Sequence, residues 1–380
     1  MKLLKLSGLP VAFFFLAVCF RATAPAYADG LSIVPTFGIS ITDNPDAAQI
    51  EGAINAAITT MDGLFSNSVM VPVFFTYNPA GGGNLESTSQ QYYDVPYSTY
   101  VSLLRADSRA NPSNHVLASA LTNLPKGNDA DGSKDLMVAG NLLTMLGIPA
   151  AANSIININS SQPFAFSRPV PSNQFDAIGG IEHELDEVLG GGGGGSTLNF
   201  GSSCDSFPTG PFCNKVGPTD LYRYSSPNNP SFTRSSSASA YLSVNGGYSK
   251  IVQFNQFFNG DYGDFAPPGA GAGQLIQNAF NSTGQYEAYT SSSPEFLMLE
   301  SIGWNASSAT ATPEPGSLVL LVMGLLGTAV VRGAKSKPGR QKKSFRPKNP
   351  ELGPFPSLTR KACLIHSSFI DSCNSLIPLG

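Results

Sequence analysis

His183, Glu184 and Glu187 are the residues whose types and spacing could do chemistry. They lie in Ile181-Glu-His-Glu-Leu-Asp-Glu-Val-Leu-Gly190. At about 100° per residue, a helix would bring all three onto one face. His183 and Glu187 then stand one turn apart, so both side chains can reach a single cation. Glu184, beside them, is free to polarise a water bound to that cation. Ile178, Ile181, Leu185, Val188 and Leu189 gather on a second face suited to a core. Glu182 and Asp186 point in a third direction, expected to be water. Glu182, Glu184, Asp186 and Glu187 repel one another unless positive charge sits among them. No Lys or Arg lies between Arg168 and Lys215 to provide it. An acidic surface helix with one histidine is the competing reading.

The elements around this helix can be read from periodicity. Leu31 to Ile41 is apolar and β-prone, and Asn44-Pro45-Asp46 opens a helix carrying Ile50, Ile54, Ala57, Ile58, Met61 and Phe65. Val69 to Tyr77 has strand composition, while Ala80 to Gln91, rich in Gly, Ser and Gln, reads as a loop. Helices are expected near Tyr97 to Asp107, Asn114 to Leu124 and Lys134 to Leu146. A strand is expected from Ser154 to Asn159. His115 reads as a surface residue at a helix N-terminus. The run Gly190 to Gly195 must end the central helix. The order of elements predicts an α+β fold with a mixed sheet.

Composition points to export. Charged residues make up only 13% and the net charge is −4, which argues against nucleic-acid binding. Lys2 and Lys5 precede an apolar run from Leu9 to Phe20 and a small-x-small site at Ala26-Tyr27-Ala28. Residues 1–28 therefore read as a signal peptide. Cys204 and Cys213 bracket a short loop and could pair in an oxidising compartment. Asn128 to Asp135 resembles the front of a calcium loop without its closing Glu, and a polar turn is the simpler reading. Ca2+ at the acidic loops around Asp129 and Asp261, in an adhesive domain, is a further alternative.

The run Phe175 to Gly190 contains His-Glu-x-x-Glu, one residue away from the His-Glu-x-x-His of zinc proteases. It resembles the active-site helix of metzincins, and is closer to secreted bacterial metalloprotease-like proteins with Glu at the second ligand position. The similarity runs from about Leu31 to Trp304. It includes Asp220-Leu-Tyr-Arg-Tyr224, Tyr241-Leu-Ser-Val-Asn-Gly-Gly247, Gly260-Asp-Tyr-Gly-Asp264 and Leu297-Met-Leu-Glu-Ser-Ile-Gly-Trp304. The resemblance implies a zincin-like fold and a Zn2+ endopeptidase, with His183 and Glu187 as ligands and Glu184 as general base. Metzincins place a third histidine where this chain has Gly193. Asp220 is the leading replacement, with Asp205, Asp261, Asp264, Glu295 and Glu300 as further candidates. Met298 could lie beneath the metal, or pack the core. Acidic ligands would weaken the Lewis acidity of zinc and let a harder cation compete.

After Trp304 a Ser/Ala/Thr linker leads to Pro313-Glu-Pro315, an apolar run from Leu318 to Val331, and a basic cluster beginning at Arg332. This resembles a PEP-CTERM sorting signal, with one spanning segment cut by an exosortase-type enzyme. The expected organisation is a signal peptide at 1–28, a metalloprotease-like domain at 29–306, a linker and sorting segment at 307–335, and a basic tail at 336–380. The expected partners are a protein or peptide substrate, the sorting enzyme and, during sorting, the membrane. The expected location is the cell surface or outside the cell. A non-catalytic surface or matrix protein that keeps the fold is the alternative.

Overall fold

A computed structural model describes residues 30–81, 83–124, 134–200, 213, 215–269, 273–307 and 363–366. The segments expected to be a signal peptide and a sorting signal lie outside them, as do Asp129 and Asp205. Among the described residues no helix is long and apolar enough to cross a membrane.

The fold is α+β around one mixed sheet. Its elements are β1 (Leu31–Phe37), α1 (Ile39–Thr42), α2 (Ala47–Leu64), β2 (Val69–Asn78), β3 (Glu86–Pro96), α3 (Tyr97–Ala110), α4 (His115–Asn123), β4 (Asp135–Ala139), α5 (Gly140–Met145) and β5 (Ser154–Asn159). The short strands β6 (Phe164–Ala165) and β7 (Phe175–Asp176) lead into α6 (Ala177–Val188). Beyond it lie β8 (Arg223–Ser226), β9 (Asn229–Pro230), β10 (Tyr241–Leu242), β11 (Val252–Gln253), α7 (Pro294–Ser301) and β12 (Cys363–His366).

Strands β1, β2 and β5 are parallel neighbours in that order, and β3 runs antiparallel to β5. Ser89 pairs with Ile155 of β5 and with His366 of β12, so these two strands lie on opposite edges of β3. Tyr92 pairs with Ala139 of β4 and Cys363 of β12, which puts β4 on the β5 edge. A small antiparallel sheet, β11-β10-β8-β9, follows the central helix.

Helices α2 and α6 pack on each other, α2 also against β1 and α6 against β3. Ile50, Ile54, Ala57 and Met61 of α2 share one buried core with the alternate residues Val71, Val73 and Phe75 of β2. Ile181, Leu185 and Val188 of α6 join this core. Trp304 closes it, stacking edge-on against Phe65.

Two expectations need correction. The Ser/Gln-rich stretch expected as a loop contains most of β3, and Ser87, Thr88, Ser89 and Gln90 are all buried. Residues 134 to 146 divide into β4 and α5 instead of forming one helix. Leu136 to Ala139 are buried in succession, which suits a strand covered on both faces.

Candidate metal centre

Helix α6 carries two glycines, Gly179 and Gly180, in its first turn, although glycine costs about 1 kcal/mol relative to alanine inside a helix. Contacts explain both. A Cβ at Gly180 would collide with the carboxylate of Glu86 on β3, and one at Gly179 would lie 2.7 Å from Oδ2 of Asp176. The missing side chain at Gly180 lets Glu86 of β3 lie close to the helix, and that at Gly179 leaves room for Asp176. Polar groups of neighbouring elements then satisfy its backbone. Thr88 Oγ1 donates to the Glu184 carbonyl at 3.1 Å and Gln90 Nε2 to that of Glu187 at 2.7 Å. Asn141 Nδ2 reaches the Val188 carbonyl and Trp304 Nε1 that of Leu189. The buried polar stretch of β3 is thus a set of helix anchors.

On the face so fixed, His183, Glu187 and Asp264 each present one ligand atom, all within 4.8 Å of one another. Nε2 of His183 is 4.0 Å from Oε1 of Glu187 and 3.5 Å from Oδ2 of Asp264. Nδ1 of His183 lies 3.1 Å from the Ile276 carbonyl, which can only accept. Nδ1 therefore carries the proton, and in the neutral ring the Nε2 lone pair faces the carboxylates. Gln277 Nε2 lies 3.2 Å from that nitrogen and donates to Oδ1 of Asp264 at 2.9 Å. The His183 side chain is 13% exposed, so the cluster opens towards solvent at this residue.

The glycine tract is packed against the cluster. Gly190 and Gly192 have φ of 90° and 47°, a left-handed backbone that turns the chain back over α6. Gly193 N donates to Oδ1 of Asp264 at 2.7 Å. A Cβ at Gly193 would collide with Oε1 of Glu187 and lie 2.5 Å from Oδ2 of Asp261. The position where a third histidine was looked for therefore has no room for any side chain. The carboxylates of Glu187 and Asp261 fill that space.

The electrostatics follow from burying acids together. Burial lifts the Glu187 carboxyl well above the carboxylate range, and the charges of Glu184, Asp261 and Asp264 lift it further. Burial pushes Glu184 up to about 7 against the opposing pull of His183. Burial also raises Asp264 to about 7, opposed by its bonds from Gln277 and Gly193. Burial, then Asp264, raises Asp261 well above its ordinary value. One oxygen each of Glu184 and Glu187 is buried with no hydrogen-bond partner. Four carboxylates crowded beside one imidazole are the environment in which a cation would be stabilised.

Asp220 is not part of this group. Its carboxylate takes hydrogen bonds from Ser196 Oγ at 2.6 Å, Thr197 N at 2.9 Å and Gly217 N at 2.8 Å. It is a buried staple between the end of the glycine tract and the returning chain. Glu182 and Asp186 do not face water either, being 1% and 0% exposed. Arg168 lies 3.4 Å from Glu182, and the Tyr289 hydroxyl donates to Asp186 at 2.7 Å. Glu295 accepts from Gln277 N, and Met298 is buried with its methyl group against Gly191. Cys213 is disulfide-bonded; Cys204, its expected partner, lies outside the described residues. Gln277 carried no motif and was not singled out. Asp264 sat among several acids that spacing could not rank.

No family model matches the chain, and no curated protein or solved structure matches it with significance.

Proposed function

We propose that the chain is an exported peptide hydrolase with a divalent cation, zinc in the reading its motif supports, held by His183, Glu187 and Asp264. Glu184 is its general base. The observation that carries this reading is the convergence of those three side chains within 4.8 Å. A buried, unpartnered oxygen on Glu184 and another on Glu187 face this need for a cation. Such donors fit a cation, since buried polar atoms otherwise find hydrogen bonds. Bound there, a divalent cation supplies Lewis-acid polarisation of a carbonyl and of water.

Glu184 accepts the proton of the attacking water and passes it to the leaving amine nitrogen. A buried carboxyl that ionises at the site is the group suited to take and return that proton. The Ile276 carbonyl holds the His183 ring, and Gly193 N with Gln277 holds Asp264. The zincin-like reading of the fold draws support from α6 lying along β3, the strand antiparallel to its neighbour β5. Ser89 to Tyr92 of that strand also pair with the extended segment Cys363–His366 on their outer edge, a geometry open to an extended peptide. A shallow cleft at the start of α6 is lined by Leu85, Phe175, Ile276 and Tyr286 among others.

The experiment is metal analysis of the purified chain beside a peptide-cleavage assay. About one zinc per chain with cleavage supports the reading. One observation favours the non-catalytic alternative: Gln277 Nε2 can satisfy both His183 and Asp264 without a cation. No metal after refolding with Zn2+, and no cleavage, would favour that alternative.

A further inference from the structure

The amide of Gln277 touches two of the three ligand atoms of the centre. Its Nε2 lies 3.2 Å from Nε2 of His183 and 2.9 Å from Oδ1 of Asp264. His183 Nδ1 carries the ring proton, so the amide N–H2 and a cation compete for the single lone pair on Nε2. The side chain has no way to withdraw. Gln277 is 0% exposed and its backbone is tied on both sides. Its N donates to Glu295 Oε1 at 3.0 Å, and its carbonyl accepts from Phe265 N at 2.8 Å. Gly192 gives the amide its room, since a Cβ there would collide with Nε2 and lie 2.6 Å from Cδ of Gln277.

A second observation concerns the other end of the same amide. Oε1 of Gln277 is buried and, among the described residues, has no hydrogen-bond partner. Buried amide oxygens ordinarily find a donor. The terminal amide torsion is roughly two-fold, so a half-turn about Cγ–Cδ exchanges Oε1 with Nε2 and breaks no bond of Oε1. After that turn an oxygen would stand beside the His183 lone pair and the Asp264 carboxylate. Those are three acceptors together, and a cation among them reconciles all three.

We propose that Gln277 is a ligand of this centre through Oε1, and that its amide turns to admit the cation. The inference rests on the metal centre proposed above. Without metal, the N–H2 end satisfies His183 and Asp264; with a divalent cation, the oxygen end joins them in holding it. Amide oxygens are ordinary donors to divalent ions. A neutral donor also adds no charge to a site already crowded with acids.

The test titrates Zn2+ into the full metal-free chain and two variants by calorimetry, with circular dichroism confirming each fold. Gln277→Leu keeps apolar bulk but has neither the oxygen nor the N–H2. Its Zn2+ affinity should fall about tenfold or more. An amide that only plugs the centre predicts the opposite, so unchanged or tighter binding by Gln277→Leu would overturn the proposal. Gln277→Glu supplies an oxygen without the competing N–H2 and should bind Zn2+ at least as tightly as wild type. Weaker binding by that variant would count equally against it. Should the variants not fold, a crystal structure of the zinc-loaded wild-type chain decides. Oε1 at about 2.0–2.2 Å from the ion supports the proposal, and an amide held away from the ion overturns it while leaving the three-residue centre intact. No Zn2+ binding by the wild-type chain would overturn both.

Discussion

Under the proposed function His183, Glu184, Glu187 and Asp264 would differ in role although they lie in one region, and substitution separates them. Glu184→Gln keeps shape and much of the hydrogen bonding but cannot accept a proton. It should abolish peptide cleavage with bound metal unchanged by elemental analysis. His183→Ala, Glu187→Ala and Asp264→Asn should lower metal content, since each removes or weakens a ligand. Asp220→Asn should leave metal content alone. It weakens charge-assisted bonds to Thr197 N and Gly217 N, so denaturant unfolding should show a loss of about 1–3 kcal/mol. Metal loss from Asp220→Asn at unchanged stability would contradict the placement of that residue. The helical spacing of His183 and Glu187 was legible because i and i+4 side chains meet on any α-helix. Asp264 was not, because 76 residues of chain lie between it and Glu187 and only folding brings them together.

At the scale of elements, glycines decide how closely the pieces approach. Gly193→Ala would push a methyl group into Glu187 and Asp261. It should lower metal affinity more than it lowers the melting temperature, as measured by metal titration beside thermal unfolding. Gly52 in α2 has no atom within 4 Å of its missing Cβ. Gly52→Ala should therefore stabilise the chain by about 0.5–1 kcal/mol, through lower unfolded-state entropy and better helix propensity. Gly180→Ala should do the reverse by about 1–3 kcal/mol, because its methyl group would meet Glu86. Equal effects at positions 52 and 180 would refute this account of the helix contacts. Strand β3 shows the converse lesson. Its Ser, Thr and Gln residues look like a loop when polarity is taken to mean exposure, yet Thr88 and Gln90 hold carbonyls of α6.

For the whole molecule, acid burial sets the response to pH. Asp62 is raised to about 6, and Glu182, Glu184, Asp264 and Glu300 to about 7, in each case first by burial. Unfolded carboxylates titrate near 4. Between about pH 4 and 7 the folded chain therefore holds more protons than the unfolded one, and stability falls as pH rises. Without metal, the unfolding free energy should drop by on the order of a few kcal/mol from pH 5 to pH 8. Added divalent cation should recover much of that loss at pH 8 and little at pH 5, where protons occupy the same carboxylates. Thermal melts with and without a chelator across this range provide the check. Metal-free stability that rises from pH 5 to pH 8 would show that the buried acids are ionised at no cost.

What the sequence determined by itself was local and periodic. Helices α2, α3, α4 and α6 and strands β1, β2 and β5 were legible, because 3.6- and 2-residue repeats of apolar side chains require only a core to face. So was the approach of His183 to Glu187, because one helix carries both a turn apart. The tertiary structure decided what distant segments supply. It placed Asp264, Asp261 and Gln277 at the cluster and used Asp220 as a backbone staple. It also drew Glu182 and Asp186 inside, with Arg168 and Tyr289 as their partners. Those outcomes depend on which chain segment passes over a buried helix face, and residue type and spacing along one strand of sequence do not encode that choice. A lone aspartate reads the same whether it caps a turn or faces a cation, and its neighbours in space decide which.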